Sequence, residues 1–577
     1  MKNRFLKQFF LQRMTECYNK NTIDSYRVRS NNVITLLYET RDVVIAWNKH
    51  RVKKFETVVY VLEETLLAIK RSSCLLFNNC PKEILIEQIE EYKRCGQENN
   101  HKTNLFLFYI DSCIEDNNNN YLSNLFSYLK GLIFLEEEIS KSNIQQKLNE
   151  LDCVITELAC ELIRLGYSKI YLFGYFQDML KSMTECEYED FEDKFNEIEC
   201  RYITRDKLKY VVIFILSVPK ECSLFDNLIE EVPKDIIDKI DVNRLKSLQS
   251  ANGRRFYLQE VNALDEIVAI KIVREEISLI LDLQQDGSDN KSIRISHNAF
   301  VGIKDEEGCL SDFKSKVVYS LDISRSKKIK DVSLLPAAIE MIDNNCMVDN
   351  ECKSRIKSAL RHLRIGDGQL ELEQRFINYW IGLEFLFASP EVSDSTFARL
   401  KCNQIHILTS CYIKRNILNL VDWMKRYGCS TSVFESDQNI DAFAPNVENN
   451  ILMWYRLKRM KSHLHSSDKT ENYIAEHRRN LEQHLSRLYR LRNELLHEGA
   501  IKQDIENLTS NLRYYLVFIL NLCIGYFCRE RMYEVDLTMD SFFWEYNKHL
   551  QIFSLNKKRN YKYEYLMNVP LQNEYLR

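Results

Sequence analysis

The sequence predicts a mainly α-helical protein with a central α+β segment. Glycine and proline, the residues that most often interrupt helices, number only 14 and 7 among 577 residues. Apolar residues recur at spacings of three and four through most of the chain, which is the period of one helix face. Short runs rich in Val, Ile and Phe begin near residue 204 and continue to about residue 330, and these are typical of strands.

Four regions follow from these patterns, because a chain of this length exceeds what one hydrophobic core usually organises. Residues 1–203 are expected to form a helical N-terminal region, and residues 204–334 an α+β middle domain. Residues 335–555 return to helical spacing and are expected to form a helical domain. The basic and aromatic tail, residues 556–577, is expected to pack back on this domain, and binding of single-stranded nucleic acid is the alternative.

The middle domain is predicted from four strand-like stretches and one long helix. The strands are KLKYVVIFILSV, RRFYLQEV, SIRISHNAFVGI and SKVVYSLDIS, and the helix is LDEIVAIKIVREEISLILDLQ. The segment QDGSDNKS is predicted to be a loop. Because the sequence contains neither G-x-G-x-x-G nor a Walker-type Gly-Lys loop, we expect no nucleotide-binding domain.

Charge and cysteine usage indicate a cytoplasmic protein. The net charge of -4 does not indicate a protein that attracts nucleic acid through its overall charge, so any basic binding surface must be local. The 18 cysteines include no C-x-x-C pair and are expected to be reduced thiols. The charged start MKNRFLKQFFLQRM does not resemble a signal peptide. The most apolar run, YYLVFILNLCIGYFC, is too short to span a bilayer and is predicted to be a buried helix, so we expect no membrane association.

The stretch RLRNELLHEGA places an arginine where a helix needs an apolar residue. Leu481, Leu485, Leu488, Leu491 and Leu495 form one stripe at about 100° per residue. Arg492 falls inside this stripe, and a guanidinium directed at a core needs a carboxylate or a phosphate. Glu384 is the lone carboxylate in the apolar part of ELEQRFINYWIGLEFLF, so it is the predicted partner, in a role that is either functional or purely structural.

A second, polar face of the same helix carries a histidine. Asn493 and His497 lie four residues apart and share this face with Arg490. Arg492 and His497 lie five residues apart, about 140° around an ideal helix, so one straight helix cannot easily direct both at one phosphate. Either the helix distorts towards a C-terminal cap at Gly499, or two copies of the helix pool their residues.

Three elements in order resemble the HEPN superfamily, and particularly its Apea-like branch. They are IKSALRHLRIG, FINYWIGLEFLF and the R-x4-H motif RNELLH, and the resemblance covers roughly residues 335–550. It implies a helical domain that often dimerises so that two motifs face one cleft, acting as a metal-independent RNA endonuclease. It also implies a toxin-like effector of bacterial antiviral defence, acting by abortive infection and responding to a phage-derived trigger.

The chemistry assigns a role to each candidate residue. His497 is the expected acid and base, because an imidazole with an unperturbed pKa of ~6.5 exchanges protons at neutral pH. Arg492 is expected to stabilise the phosphate, and Asn493 to orient His497 or the phosphate. Arg487 and Arg490 are expected to contact RNA phosphates, with a solvated helix face as the alternative. We expect no cofactor and no metal site, and therefore RNA cleavage that survives EDTA.

Two alternatives to a nuclease stay open. One is a catalytically silent HEPN module that serves as an oligomerising or RNA-binding scaffold. The other is an unrelated helical interaction protein, in which His497 caps a helix end. Only the nuclease needs His497 accessible beside Asn493. The first 330 residues are expected to sense a trigger or to restrain the enzyme, and His463 and His465 are predicted to lie in a surface loop.

Overall fold

The structure, a computed structural model, is mainly helical with one small antiparallel sheet, which confirms the predicted fold class at this level. It describes residues 4–19, 31–96, 100–135, 139, 143–183, 190–217, 228–241, 254–282, 293–317, 335–369, 371–388, 396–429, 431, 440, 450–497, 505–528, 537–555 and 564–569. The side chains of residues 100, 101, 497 and 564 are outside this description.

The N-terminal region folds into helices. They are α1 (Arg4–Tyr18), α2 (Val33–Asn48), α3 (Phe55–Arg71), α4 (Lys82–Cys95), α5 (Asn100–Asn117), α6 (Tyr121–Ile133) and α7 (Ile144–Arg164). A side-chain cap starts α2, because Oδ1 of Asn32 accepts a hydrogen bond from the backbone nitrogen of Thr35 at 2.9 Å. α3 ends with Lys70 and Arg71, cations that interact favourably with the C-terminal end of a helix dipole.

The elements that follow are arranged around the sheet. They are α8 (Lys169–Ser182), α9 (Phe191–Thr204), β1 (Leu208–Ser217), β2 (Leu228–Ile229), α10 (Lys234–Ile237), β3 (Arg254–Ala263), α11 (Glu266–Asp282), β4 (Arg294–Lys304) and β5 (Lys314–Val317). The sheet is antiparallel, in the order β2-β3-β1-β4-β5. Three of the predicted strand stretches coincide with β1, β3 and β4, and the first three residues of SKVVYSLDIS lie in β5. The remaining residues of that stretch, 318–324, and the predicted loop QDGSDNKS lie outside the described residues.

Both faces of the central strand β1 are covered. Side chains alternate between the two faces of a strand. Val212 and Phe214 therefore pack in one apolar cluster with α11, whereas Val211 and Ile213 pack in a second cluster with Ile236 of α10. This burial on both faces explains why the sequence of β1 reads as a continuous apolar run.

The C-terminal region is helical. Its helices are α12 (Leu335–Asn344), α13 (Asn350–Gly368), α14 (Leu372–Phe387), α15 (Thr396–Ser410), α16 (Tyr412–Arg426), α17 (Ile451–His463), α18 (Ser467–His497), α19 (Ile505–Phe527), α20 (Met539–Leu555) and α21 (Glu564–Met567). The run YYLVFILNLCIGYFC lies in α19 and is buried over most of its length, as predicted. Within the described ranges, no helix has the length and apolarity that a membrane crossing requires. Of the tail, Leu566 and Met567 are buried, so this described part packs back as expected.

The chain divides into two compact units. One contains Met1–Glu157 and Leu321–Arg577, and the other contains Leu158–Ser320. The units therefore do not follow the predicted boundaries at residues 203 and 334. The N-terminal helices up to Glu157 belong with the C-terminal helices, whereas the end of α7 belongs with α8, α9 and the sheet.

A buried ionic network explains why the first helix belongs with the C-terminal helices. Nε of Arg13 in α1 donates to Oδ1 of Asp152 in α7 at 2.6 Å. The Tyr455 hydroxyl of α17 donates to Oδ2 of the same carboxylate at 2.9 Å. Nη1 of Arg456 lies 2.8 Å from Oε1 of Glu16, and both side chains are buried. Buried charges need partners, so these contacts join α1, α7 and α17.

Candidate functional site

Helix α18 carries the motif RNELLH at its end, and its leucine stripe faces the interior as predicted. Leu481, Leu485, Leu488 and Leu491 are buried, and Leu495 is half-buried. α18 packs against α14 and α15, and it also contacts α3. The helix continues without a break to His497. The side chain of His497 and the predicted cap at Gly499 lie outside the described residues.

Arg492 and Glu384, the predicted partners, meet at the contact between α18 and α14. Nη2 of Arg492 lies 3.8 Å from Oε1 of Glu384, which makes a loose ion pair that is too long for a hydrogen bond. The two side chains are 26% and 28% exposed, whereas burial was expected. Leu496, one turn further along, is 48% exposed, whereas residues 492–495 are half-buried, so neighbouring helices cover the motif only in part.

An aromatic cluster fixes the position of Glu384. Nε1 of the buried Trp380 donates to Oε1 of Glu384 at 2.6 Å. The ring of Tyr489 in α18 stacks on Phe397 of α15 with 3.8 Å between ring centroids. The same tyrosine ring lies 5.9 Å from Trp380. These rings hold α14, α15 and α18 together one turn before the motif, and Trp380 directs the carboxylate towards Arg492.

Asn493 orients Arg492 in the structure. Nη1 of Arg492 donates to Oδ1 of Asn493 at 3.1 Å. The amide nitrogen of Asn493 makes no hydrogen bond within the part of the chain that the structure describes. It can therefore donate to a ligand. The other predicted role of Asn493, the orientation of His497, depends on a side chain outside the described residues.

Arg492 has more hydrogen-bond donors than partners. A guanidinium offers five N–H donors in one plane. Among the described residues, that of Arg492 makes one hydrogen bond, to Asn493, in addition to the loose ion pair with Glu384. Its Nε is buried and makes no hydrogen bond there. A planar fork with free donors matches the geometry of phosphate oxygens, so the arrangement can bind an oxyanion.

Arg487 and Arg490, the two arginines expected to contact RNA phosphates, contact carboxylates instead. Arg487 donates through Nε and Nη2 to the two oxygens of Glu39 at 2.8 Å each, and through Nη2 to Glu64 at 2.7 Å. Arg490 also donates to Glu39. The side chain of Arg487 is only 13% exposed, so a solvated helix face does not describe it either. A phosphate contact by these arginines stays a prediction, and it requires the carboxylates of α2 and α3 to leave.

The same cluster shifts the pKa values of two of its members. Burial alone would raise the pKa of Glu39, but the positive charges of Arg487 and Arg490 outweigh burial and lower it to about 2. Burial disfavours the charged form of Arg487, yet the carboxylates of Glu39 and Glu64 raise its pKa above the usual value. Glu39 and Arg487 therefore stay charged at neutral pH and join α2 to α18.

Comparison with protein-family models, with curated proteins and with solved structures gives no match. The resemblance to the HEPN superfamily therefore rests on the three sequence elements that suggested it. In the structure, IKSALRHLRIG lies in α13, FINYWIGLEFLF forms most of α14, and RNELLH ends α18. α14 contacts both α13 and α18, so the three elements are neighbours.

The other histidine pair differs from its prediction. His463 is the last residue of α17, not part of a loop, and its ring stacks on Tyr473 with 4.2 Å between centroids. Burial lowers the pKa of His463 to about 4. His465 lies in the exposed turn that follows. Across the described residues, no three His, Cys, Asp or Glu side chains are grouped closely enough to hold a metal ion.

Two features of the site were not predicted. The hydrogen bond from Trp380 to Glu384 joins residues four apart on one helix, so their spacing could have indicated it. The contacts of Glu39 and Glu64 with Arg487 join residues more than 400 positions apart, and no local pattern indicates them.

Proposed function

We propose that the protein is a metal-independent RNA endonuclease of the HEPN type, with its active site at the end of α18. The observation that carries the proposal is the state of Arg492. This guanidinium is partly exposed and loosely paired, and it lies on the last turns of the helix that ends at His497. Glu384 holds it at the edge of the helical domain without saturating its donors, because this carboxylate is also bonded to Trp380.

The reaction that we propose uses the nucleophile that RNA itself supplies. The 2′-oxygen attacks the adjacent phosphorus, so that the O2′–P bond forms and the P–O5′ bond breaks. The products are a 2′,3′-cyclic phosphate and a 5′-hydroxyl. His497 takes the proton of the 2′-hydroxyl and returns a proton to the leaving 5′-oxygen, a role that contributes ~10²- to 10⁴-fold in other enzymes.

Arg492 would stabilise the negative charge that develops on the phosphorane. Its free donors can bind two phosphate oxygens as a fork. The amide nitrogen of Asn493 can donate to the same phosphate, while its oxygen keeps Arg492 in place. Because none of these steps uses a metal ion, cleavage is expected to continue in EDTA.

We further propose that two copies of the chain form each site. α18 is one unbroken helix to His497, and residues five apart, such as Arg492 and His497, lie about 140° apart on an ideal helix. A homodimer in which one copy supplies the arginine and its partner the histidine resolves this geometry. The proposal also covers the biological setting that the resemblance implies, a cytoplasmic anti-phage effector that cleaves tRNA, rRNA or mRNA on a phage-derived trigger.

The first test is cleavage of total bacterial RNA in EDTA by the purified wild-type protein and by Arg492→Ala and His497→Ala variants with unchanged circular dichroism. Cleavage by the wild type that both substitutions abolish is expected. Arg94→Ala is the matched control, because Arg94 is an exposed arginine on α4 whose one hydrogen bond among the described residues goes to a carbonyl of its own helix. No cleavage by the wild type, with or without lysate of infected cells, would favour a catalytically silent HEPN scaffold.

Mixing the two inactive variants tests the shared site. If each site takes its arginine and its histidine from different copies, a mixed dimer has one intact site. Random assortment of a two-fold dimer then restores about a quarter of wild-type activity. If both residues act from the same chain, the mixture stays inactive.

A further inference from the structure

The outer face of α13 carries a basic stripe. Lys357, Arg361 and Arg364 are exposed, and their spacing of four and three residues places them on one helix face. Lys357 pairs with Asp343 at 2.8 Å. Arg361 and Arg364 make no ion pair or hydrogen bond with the rest of the described chain. The stripe therefore presents two guanidiniums that pair with no carboxylate of the described residues.

An aromatic pair lies beside this stripe. The ring of His362 stacks on Phe385 of α14 with 5.4 Å between centroids and an angle of 27° between planes. Phe385 is 39% exposed, so part of its side chain is open to solvent. Nδ1 of His362 lies 3.2 Å from Oδ1 of Asn378, whose amide nitrogen donates to the backbone oxygen of Gln374 at 2.8 Å. These contacts hold the histidine ring in place and leave part of the pair open to solvent.

The stripe and the aromatic pair lead to the candidate active site. Phe385 directly follows Glu384 in α14, and Glu384 contacts Arg492. α14 packs against α13 and against α18. The stack of His362 on Phe385, the neighbouring residue Glu384 and its contact with Arg492 therefore connect α13, α14 and α18.

The surface formed by Lys357, Arg361, His362, Arg364 and Phe385 is called the α13 surface below. We infer that the α13 surface binds the single-stranded RNA that enters the active site. The inference rests on the proposed function. Unpaired guanidiniums bind phosphates through charge and hydrogen bonds, and an exposed aromatic ring stacks on any unpaired base. The arginines of α18 expected in this role, Arg487 and Arg490, already bind carboxylates.

RNA binding by the non-cleaving His497→Ala protein tests the charge component. Adding Arg361→Gln and Arg364→Gln to this protein is expected to weaken binding of a fluorescent single-stranded RNA about tenfold. The slope of log affinity against log salt is expected to fall by about 1.4, because each of the two lost phosphate contacts contributes about 0.7. The Arg361→Lys, Arg364→Lys variant keeps most of the affinity because it keeps both charges. Arg94→Gln on α4, which packs on α3 and α5, is the control and is expected to change nothing.

Phe385→Ala tests the stacking component in the same background. It is expected to weaken RNA binding about tenfold, within the range for loss of one base–aromatic stack. Binding of inorganic polyphosphate, which has charge but no bases, is expected to stay unchanged. Equal losses for both ligands would show that Phe385 only supports the fold and would remove stacking from the inference.

The outcomes separate this inference from the proposed nuclease activity. If the wild type cleaves RNA but the glutamine variant binds as tightly as its parent, the inference is wrong and the nuclease stands. If the wild type cleaves nothing but binding depends on Arg361 and Arg364, the α13 surface stands and the nuclease fails. No binding of RNA by the parent protein, or equal binding of duplex and single strand, would overturn the assignment.

Discussion

Arginines on two sides of helix α18 differ in their burial and in their ion pairs. On one side, Arg487 makes three hydrogen bonds to Glu39 and Glu64 and is almost fully covered. On the other side, Arg492 keeps a 3.8 Å contact with Glu384 and is 26% exposed. The two residues are five positions apart on one helix. The charge of Arg487 therefore stabilises the fold, whereas the charge of Arg492 is available to a ligand.

Desolvation explains the difference. Removing a guanidinium from water costs several kcal/mol, and this cost must be offset by carboxylates in good geometry. Arg487 meets this condition, so its charge stabilises the contact between α18 and the N-terminal helices. Arg492 avoids part of this cost because its side chain stays 26% exposed, although its Nε is buried, so a phosphate can bind it without displacing a strong partner. Substitutions on the two sides are therefore expected to affect different properties.

Arg487→Ala is expected to have the largest effect on stability. It leaves Glu39 and Glu64 without their main cation in a covered position, and breaking a buried pair in this way costs roughly 3–5 kcal/mol. Urea unfolding followed by circular dichroism would measure the loss. Arg94→Ala provides the control. A loss under about 1 kcal/mol would mean that the cluster behaves as an ordinary surface ion pair.

Arg492→Lys is expected to affect cleavage and not stability. A lysine keeps the charge but loses the fork that binds two phosphate oxygens, so kcat should fall about 10²-fold, or ~2.7 kcal/mol of transition-state stabilisation. The free energy of unfolding should change by less than about 1 kcal/mol, because the ion pair is loose and partly exposed. A destabilisation as large as that of Arg487→Ala would show that Arg492, like Arg487, serves mainly to stabilise the fold.

Glu39→Gln is expected to give a pH-dependent loss of stability. The pKa of Glu39 is lowered to about 2 in the fold, so its ionised form contributes stability above the unfolded value of about 4.5. This contribution is lost as pH falls towards 2. The gap in thermal midpoint between the wild type and Glu39→Gln should therefore narrow when it is measured at pH 5, 4 and 3. A gap that stays constant would show that the charge of Glu39 does not stabilise the fold.

Glu384→Gln is expected to give the smallest change in stability, less than about 1 kcal/mol. Nε1 of Trp380 can still donate to the amide oxygen, and only the loose contact with Arg492 is lost. Thermal unfolding of this variant beside Glu39→Gln compares the two sides of α18 directly. Equal destabilisation by the two substitutions would show that the two sides of α18 do not differ in this way.

The fold and part of the site could be predicted because they depend on local patterns. The leucine stripe of α18 follows from helical spacing, and the apolar run of β1 follows from burial on both faces. Glu384 could be named as a partner for Arg492 because it is the lone carboxylate in the apolar part of α14. Each of these predictions uses patterns within single helices or strands, and the pairing of Arg492 with Glu384 combines the patterns of two helices.

The rest could not be predicted because it depends on contacts across the chain. The carboxylates that bind Arg487 come from α2 and α3, and their sequences resemble those of any amphipathic helix. The loose geometry at Arg492 depends on where α18 leaves its neighbours. That Arg361 and Arg364 pair with no acid of the described residues is likewise a property of the folded surface.

The distance in sequence between Glu39 and Arg487 bears on the timing of biosynthesis. A ribosome adds the 448 residues that separate them in roughly 20 to 90 seconds at 5–20 residues per second. During that interval α2 exists without its counter-charge, and the unit that contains α18 cannot close until α18 has been synthesised. A nascent chain would thus acquire the proposed active site well after its N-terminal helices. For the same reason, a chain shortened to begin at residue 331 would lack Glu39 and Glu64, so such a deletion would test folding before it tested restraint of the proposed nuclease.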